Sequence, residues 1–154
     1  MKTIRIVLFL SLFCAQLSVA QNHLFDKYAD MDSVTSVYIS KGMFQMIPKV
    51  KDIGLDLMNL TGKIESLQIL STQQKELSEQ MRKEFSQLIN HEYEELMRIK
   101  DGHTRATFYV DKKGDLIKEL LMLANVEGGF TIIRLLGNFT LQDIQNMTTD
   151  LDKL

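Results

Sequence analysis

The segment "YEELMRIKDGHTRATFYVDKKGDLIKELLMLANVEGGFTIIRLLG", residues 93–137, gives the clearest indication of the fold. It contains four runs of strand-forming residues, separated by Asp101-Gly102, by the segment DKKGD and by Glu127-Gly128-Gly129. Asp-Gly pairs and glycines favour tight hairpin turns, because glycine adopts positive φ without a steric cost. The stretch therefore predicts a meander of four antiparallel strands.

Helical patterns lie on both sides of this meander. After it, Thr140 is the predicted cap of a last helix, whose apolar face comprises Leu141, Ile144, Met147 and Leu151. Before it, Ser71 and Gln74 have the spacing of a capping box. The helix that would follow, of roughly 17 residues, has an apolar stripe formed by Leu77, Met81, Phe85, Leu88 and Ile89.

The N-terminal half adds shorter elements. A first helix is predicted from the common face of Leu24, Phe25, Tyr28 and Met31. The strand SVTSVYIS, a short helix that Pro48 limits and the strand KIESLQILS follow. This order predicts an α+β domain with a mostly antiparallel sheet of about five or six strands, and with helices packed on one face. The strand–helix–strand passages leave some parallel pairing open.

The N-terminus has the pattern of a secretory signal peptide. Lys2 and Arg5 precede the uncharged apolar stretch IVLFLSLFCA, and Ser18-Val19-Ala20 places small residues where a signal peptidase reads them. The apolar stretch is too short for a stable membrane span. We therefore predict cleavage directly after Ala20.

This cleavage site defines the expected domain organisation. Residues 1–20 form the signal peptide and residues 21–154 form a single α+β domain, exported across the inner membrane to the periplasm or cell envelope. Cys14 does not fit a lipoprotein signal, because the residue before it is the bulky Phe13. The mature chain then has no cysteine, which excludes disulfides, thiolate nucleophiles and cysteine metal sites.

Charge and hydropathy exclude two further classes of function. Loss of the two basic residues of the leader changes the formal net charge from −2 to −4. A mildly acidic chain without a basic block is a poor nucleic-acid binder. The mature sequence has no run that approaches the ~20 apolar residues of a transmembrane helix.

The glycines near the C-terminus do not form a nucleotide-binding motif. Neither the spacing of a dinucleotide fingerprint nor the Gly-Lys-Ser/Thr of a P-loop is present. Gly128 and Gly129 precede a predicted strand, where a hairpin needs positive φ, and Gly137-Asn138 follows it, where the chain must turn into a helix. These glycines are interpreted as turn residues.

Potential metal ligands do not form a recognisable motif. His91-Glu92 begins like a zinc-protease motif, but Glu95 occupies the position of the second histidine. We expect His23, His91 and His103 to lie on the surface. Met43 and Met46 have the spacing of a copper-binding pair, but core packing of a short helix is the favoured interpretation. The sequence thus predicts no metal and no cofactor.

No catalytic constellation stands out. Glu92 and Glu94 are paired carboxylates of the kind that glycosidases use, but crowded carboxylates are more often a solvated face. No serine lies in a nucleophile elbow. We therefore expect no enzymatic activity and assign no catalytic residue.

Short modification motifs are also present. Asn59, Asn138 and Asn146 each begin an Asn-x-Thr triplet, which matters only in a host that glycosylates asparagine. Asp32-Ser33-Val34 is similar to the acceptor motif for serine glycosylation in secreted proteins of Bacteroidetes. Such three-residue motifs also arise by chance.

Four stretches, in their order along the chain, resemble domain-of-unknown-function family 4252: LFDKYADMDSVTSVYISKGMF, IESLQILS, YEELMRIKDG and KELLMLANVEGGFTIIRLLGNFTLQDI. The resemblance covers nearly all of the mature chain. It implies a small secreted protein of Bacteroidetes in the cell envelope or periplasm, and it supplies no catalytic residue. Genes of the family often lie near those of extracytoplasmic-function sigma factors, which implies a link to envelope response.

Two functions follow as expectations. The first is a non-enzymatic envelope module that binds a protein or another envelope component, with an edge strand or the last helix as the contact surface. The second is a periplasmic carrier of a small ligand or metal, with a pocket between sheet and helices. His23, His91, Met43 and Met46 would be its possible contacts.

Overall fold

The computed structural model describes residues 22–46 and 62–148 of the chain. A helix over residues 22–29, α1, begins the described part. The elements that follow are β1 (Thr35–Ser40), α2 (Lys41–Met46), β2 (Ile64–Thr72), α3 (Lys75–Leu88), β3 (Tyr93–Asp101), β4 (Thr104–Lys113), β5 (Leu116–Val126), β6 (Gly129–Phe139) and α4 (Leu141–Thr148). The signal peptide with Cys14, and also Pro48, Asn59 and Leu151, lie outside the described residues.

The six strands form one sheet in the order β1-β2-β6-β5-β4-β3. All five strand pairs are antiparallel, so the parallel pairing left open by the sequence does not occur among these strands. The α+β class and the C-terminal meander followed by a helix are confirmed. The connection through α3 carries the chain from β2 to the far edge, and the meander then returns to pair β6 with β2.

Glycine sets the three turns of the meander. Gly102, Gly114 and Gly128 have φ of 54°, 64° and 75°. The first turn comprises Gly102-His103, since Asp101 pairs with Thr104 as the last residue of β3. This is one residue later than predicted, because a type II′ hairpin turn places glycine first.

Two other glycines serve close backbone contact. Gly129 and Gly137 both lie within β6, which corrects the prediction that they are turn residues outside the strand. A Cβ at Gly129 would lie 2.5 Å from the carbonyl oxygen of Thr72, and one at Gly137 would collide with the carbonyl oxygen of Lys63. A side chain at either position would therefore push β6 away from β2.

Apolar residues of the sheet form two clusters on its opposite faces, because successive strand residues alternate between the faces. One cluster packs against α1 and α3, where the ring centroids of Phe25 and Phe85 are 5.0 Å apart. The sequence predicted helices on one face; α1 and α3 pack on this face, whereas the other two described helices contact the opposite one. Among the described residues, Phe44 of α2 and Ile144 of α4 are buried in the cluster on the opposite face of the sheet.

The two predicted helix caps have different outcomes. The Thr140 cap is confirmed: Asp143 accepts a bond from the Thr140 backbone N–H (2.8 Å), and its own N–H donates to the Thr140 hydroxyl (3.3 Å). The capping box at Ser71 is wrong. Ser71 lies in β2, where its hydroxyl bonds to that of Thr131, and α3 begins later, at Lys75. Ser71 pairs with Thr131 in the β2–β6 register and so belongs to the strand instead of to the helix start.

Candidate functional site

A groove of about 480 Å³ lies between α1 and the end of the sheet that carries β1. The sheet contributes its floor and α1 one wall. Its principal lining residues are Asn22 and Asp26 of α1, Tyr38 of β1, Gln68 of β2 and Arg134 of β6. The groove therefore borders an edge strand directly, and a molecule at that edge would contact both surfaces.

Arg134 and Glu119 form a buried ion pair under this groove. The Nε atom of Arg134 lies 2.7 Å from Oε1 of Glu119, and the two residues are only 5% and 6% exposed. The Tyr93 hydroxyl donates to the second carboxylate oxygen at 3.1 Å. Two charges removed from water are tolerated because each has its partner and further hydrogen bonds.

The remaining contacts of Arg134 fix α1 to the sheet. Nη1 donates to Oδ1 of Asn22 at 2.8 Å and lies 3.4 Å from Oε1 of Gln68. The guanidinium carbon is 5.0 Å from the centre of the Phe25 ring, a cation–π distance. The charge of Arg134 is thus already compensated. The contacts of this side chain hold α1, the groove wall, against the sheet. Asp26, which is exposed, is the other charged residue of the lining.

A second set of contacts joins α1 to α3. Lys27 donates to both carboxylate oxygens of Glu84, at 2.7 and 3.0 Å. This contact and the Gln80 amide lower the pKa of Glu84. Burial, with the Glu84 carboxylate nearby, raises the pKa of Tyr28 to about 12. The Tyr28 hydroxyl is buried and has no hydrogen-bond partner among the described residues.

β1 forms the open rim of the groove. It pairs with β2 on one side, and in the described sheet no strand lies on its other side. Its sequence TSVYIS has no charge, and Tyr38 is 64% exposed and Val37 39% exposed. An edge strand with unpaired backbone groups is a template for pairing with another chain. The edge and the adjacent groove together form the candidate site.

The three histidines considered as possible metal ligands do not converge. His23, His91 and His103 are all exposed, as expected, and none lines the groove. The described residues contain no group of three or more His, Cys, Asp or Glu side chains that could hold a metal ion.

The core interpretation of the two methionines is wrong. Met43 is 46% exposed and Met46 is 72% exposed, whereas Phe44 between them is buried. α2 has only six residues, and within the described part of the chain Phe44 is its buried side chain.

The paired carboxylates also lie on the surface. Glu92 and Glu94 are exposed, and Glu94 forms an ion pair with Lys112. Asp111 has a raised pKa, because of its burial and then because of the nearby Glu92 carboxylate. It lies opposite Glu119 in the β4–β5 register and does not line the groove.

Two of the modification motifs have side chains with structural roles. The Asn138 side chain accepts a bond from Lys118 and lies 3.4 Å from Glu65, which ties β6 to its neighbours. The Ser33 hydroxyl accepts a bond of 3.0 Å from the Gln74 amide, although Ser33 itself is exposed. Asn146 is exposed on α4.

The sequence interpretation missed the residues that build the groove floor. A signal was nevertheless present for Arg134, the one charge in the apolar run IIRLL, whereas Glu119 carried a weaker one because Lys118 precedes it in IKELL. A lone charge in a buried strand needs an opposite partner, and the two strands were predicted neighbours in the meander. Asn22 and Gln68 carried no such signal, because exposed polar residues of this kind are common.

In the described ranges, 22–46 and 62–148, no helix combines the length and the apolar character needed to cross a membrane. The family model described as "Domain of unknown function (DUF4252)" matches residues 28–147. No curated protein and no solved structure was found to be similar to the chain. The matched region runs from α1 to α4 and so includes the whole sheet. The chain belongs to the DUF4252 family.

Proposed function

We propose that the protein is a non-enzymatic interaction module of the cell envelope, which binds an extended segment of a partner protein by strand addition at β1. The observation that carries the proposal is an uncharged, exposed edge strand beside a groove. Main-chain hydrogen bonds to such an edge provide affinity, and pockets for alternate side chains provide specificity.

The groove gives the added strand a defined chemistry. Side chains of a strand beside β1 alternate between the two faces of the sheet, so every second one lies on the face of Tyr38 and the groove. Arg134 is already paired with Glu119, and Asp26 is an exposed carboxylate at the same groove. Charge complementarity therefore favours a partner segment with a Lys or Arg at a groove-facing position.

The proposed location rests on the N-terminal sequence. The basic, apolar and small-residue regions of residues 1–20 favour export across the inner membrane, to the periplasm or envelope. The mass of the protein recovered from cells tests this, since cleavage after Ala20 leaves a chain that starts at Gln21. A link to envelope response, which the family resemblance implies, is part of the same proposal.

A matched pair of variants tests the binding site. Val37→Lys introduces a charge on β1, and Ile99→Lys introduces the same charge on β3, at a residue of similar exposure, 42% against 39%. Charged side chains on an edge disfavour strand addition. We expect affinity capture from envelope extract to recover a partner with the wild type and with Ile99→Lys, and to lose it with Val37→Lys. Equal capture by all three proteins would contradict strand addition at β1.

The groove itself favours a second function, that of a small-ligand carrier. Its volume of about 480 Å³ is within the range of ligand sites in proteins, roughly 300–1,000 Å³. Native mass spectrometry of the protein isolated from cells distinguishes the two functions. A carrier retains an additional small mass that is lost on unfolding, whereas an interaction module has the mass of the chain alone.

A further inference from the structure

A second pocket, of about 210 Å³, lies between the tip of the β3–β4 hairpin and α3. Four of its lining residues are basic or imidazole side chains: Arg82, Lys100, His103 and Arg105. The side-chain amide of Asn125 is a further potential donor in the lining. Among the described residues, no carboxylate lines this pocket; Asp101, the residue next to Lys100, is not part of its lining.

The arrangement of these cations opposes the pairing of the hairpin. Lys100 and Arg105 are direct partners in the antiparallel register of β3 and β4. Like charges at directly opposite positions destabilise a strand pair. Arg82 of α3 adds a third positive charge at the same place.

Two other cations of the same two strands are compensated. Arg98 of β3 forms an ion pair with Glu95, and Lys112 of β4 forms one with Glu94. Within the described part of the chain, neither Lys100 nor Arg105 has an ion-pair partner, and neither does Arg82. The concentration of unpaired charge at the hairpin tip is therefore a local feature of the sheet edge.

We propose that this pocket binds a phosphate or sulfate group. Guanidinium and ammonium groups form charge-assisted hydrogen bonds with such oxyanions, and the planar guanidinium fork matches their geometry. The volume is below the roughly 300 Å³ at which drug-sized sites begin, which suits a single oxyanion group better than a nucleotide. A bound dianion would also remove the repulsion between Lys100 and Arg105.

An NMR titration of the protein tests the site. Sodium phosphate and sodium sulfate are compared with sodium chloride at equal ionic strength, and the backbone amides of Gly102 to Arg105 are followed. Saturable shifts are expected with the two oxyanions only. Arg82→Gln, Lys100→Gln and Arg105→Gln should each weaken phosphate binding by roughly fivefold, as for exposed ion pairs of good geometry. Their melting temperatures are expected to be no lower than that of the wild type, since the removed charges repel one another.

Lys83→Gln is the matched control, because Lys83 is exposed on the same helix next to Arg82 and does not line the pocket. It should leave phosphate binding unchanged. Equal shifts with chloride, or an equal loss of binding in Lys83→Gln, would overturn the proposal, because non-specific screening or net charge would then account for the effect.

A vesicle flotation assay identifies whether the oxyanion is a lipid headgroup or a soluble ion. Vesicles of phosphatidylglycerol are compared with vesicles of phosphatidylcholine for the wild type and Lys100→Gln. Flotation with phosphatidylglycerol alone, and its loss in the variant, would support a phosphate carried by a lipid headgroup. Saturable binding of inorganic phosphate without flotation would support a soluble oxyanion. Binding in neither arm would overturn the site.

Discussion

The two edges of the sheet differ in the properties that decide whether another strand can pair with them. β1 has six residues without a charge, and its register with β2 is regular. Five of the nine residues of β3 are charged, all of them exposed, and its register with β4 shifts between Glu95 and Met97. Val37 and Ile99 are similarly exposed, so apolar exposure alone does not separate the edges.

Charges and bulges are the means by which proteins prevent unwanted pairing at a sheet edge. β3 has both, and β1 has neither. This difference between the two described edge strands means that β3 is protected against strand addition and β1 is not. It also suggests separate tasks, with a polypeptide bound at β1 and an oxyanion bound at the charged hairpin that includes β3.

The largest difference between the two regions is expected in the stability that is lost when an ion pair of each is removed. Glu119→Ala would leave the buried guanidinium of Arg134 without its carboxylate and should lower the free energy of unfolding by about 3–5 kcal/mol. Glu95→Ala removes the exposed partner of Arg98 on β3 and should change the stability little. Urea denaturation of both variants measures this. Equal losses of stability would contradict the assignment of the Arg134–Glu119 pair as the support of the groove.

A smaller loss of stability is expected at the ion pair that joins α4 to the residue just before β2, the strand that pairs with β1. The Lys63 ammonium, 2.8 Å away, and the Thr140 backbone N–H lower the pKa of Asp143. Asp143→Ala should reduce the free energy of unfolding by about 1 kcal/mol at neutral pH. Gln142→Ala, at the adjacent exposed position, should have no such effect.

The difference in stability between the wild type and Asp143→Ala should depend on pH, which gives a second test of the Lys63–Asp143 contact. A carboxyl whose pKa is lower in the folded than in the unfolded protein stabilises the fold above its unfolded pKa, and this stabilisation is lost as the pH falls through the folded pKa. The difference between wild type and Asp143→Ala should therefore be constant near neutrality and shrink below about pH 4. Denaturation curves at a series of pH values measure it. A difference that grew on acidification would refute the assigned role of Lys63.

The smallest effect is expected at the charged edge. Lys100→Glu replaces the like-charge pair with Arg105 by an opposite-charge pair, and should raise the stability by roughly 0.5 kcal/mol at low salt. The gain should fall as salt screens the pair. Thermal denaturation at low and high ionic strength measures both. A loss of stability at low salt would show that Lys100 and Arg105 do not repel each other.

Much of the fold follows from local patterns in the sequence. Gly102, Gly114 and Gly128 mark the turns of the meander, and Thr140 with Asp143 caps the last helix. The strand order does not follow in the same way, because the pairing of β2 with β6 joins segments far apart in the chain. For the same reason local patterns place Gly129 and Gly137 in turns, although the close approach of backbone atoms at Thr72 and Lys63 explains why these positions are glycine.

The site was less accessible to prediction than the fold. An edge strand was an expected contact surface, but which strand lies at an edge depends on the long-range pairing. The cluster of Arg82 with Lys100 and Arg105 depends on where α3 lies over the sheet. The misplaced methionines have a different cause, since the spacing of Met43 and Met46 fits a helix but does not state which face is buried.

Site-directed photo-cross-linking tests whether a partner strand pairs with β1 in the cell. A photoreactive amino acid replaces Tyr38 on β1 in one strain and Ile99 on β3 in another, and adducts formed in cells are identified by mass spectrometry. Strand addition at β1 predicts a discrete protein adduct from position 38, its loss when Val37→Lys is added, and no such adduct from position 99. The same adduct from both positions, or an adduct from position 99 alone, would contradict the account.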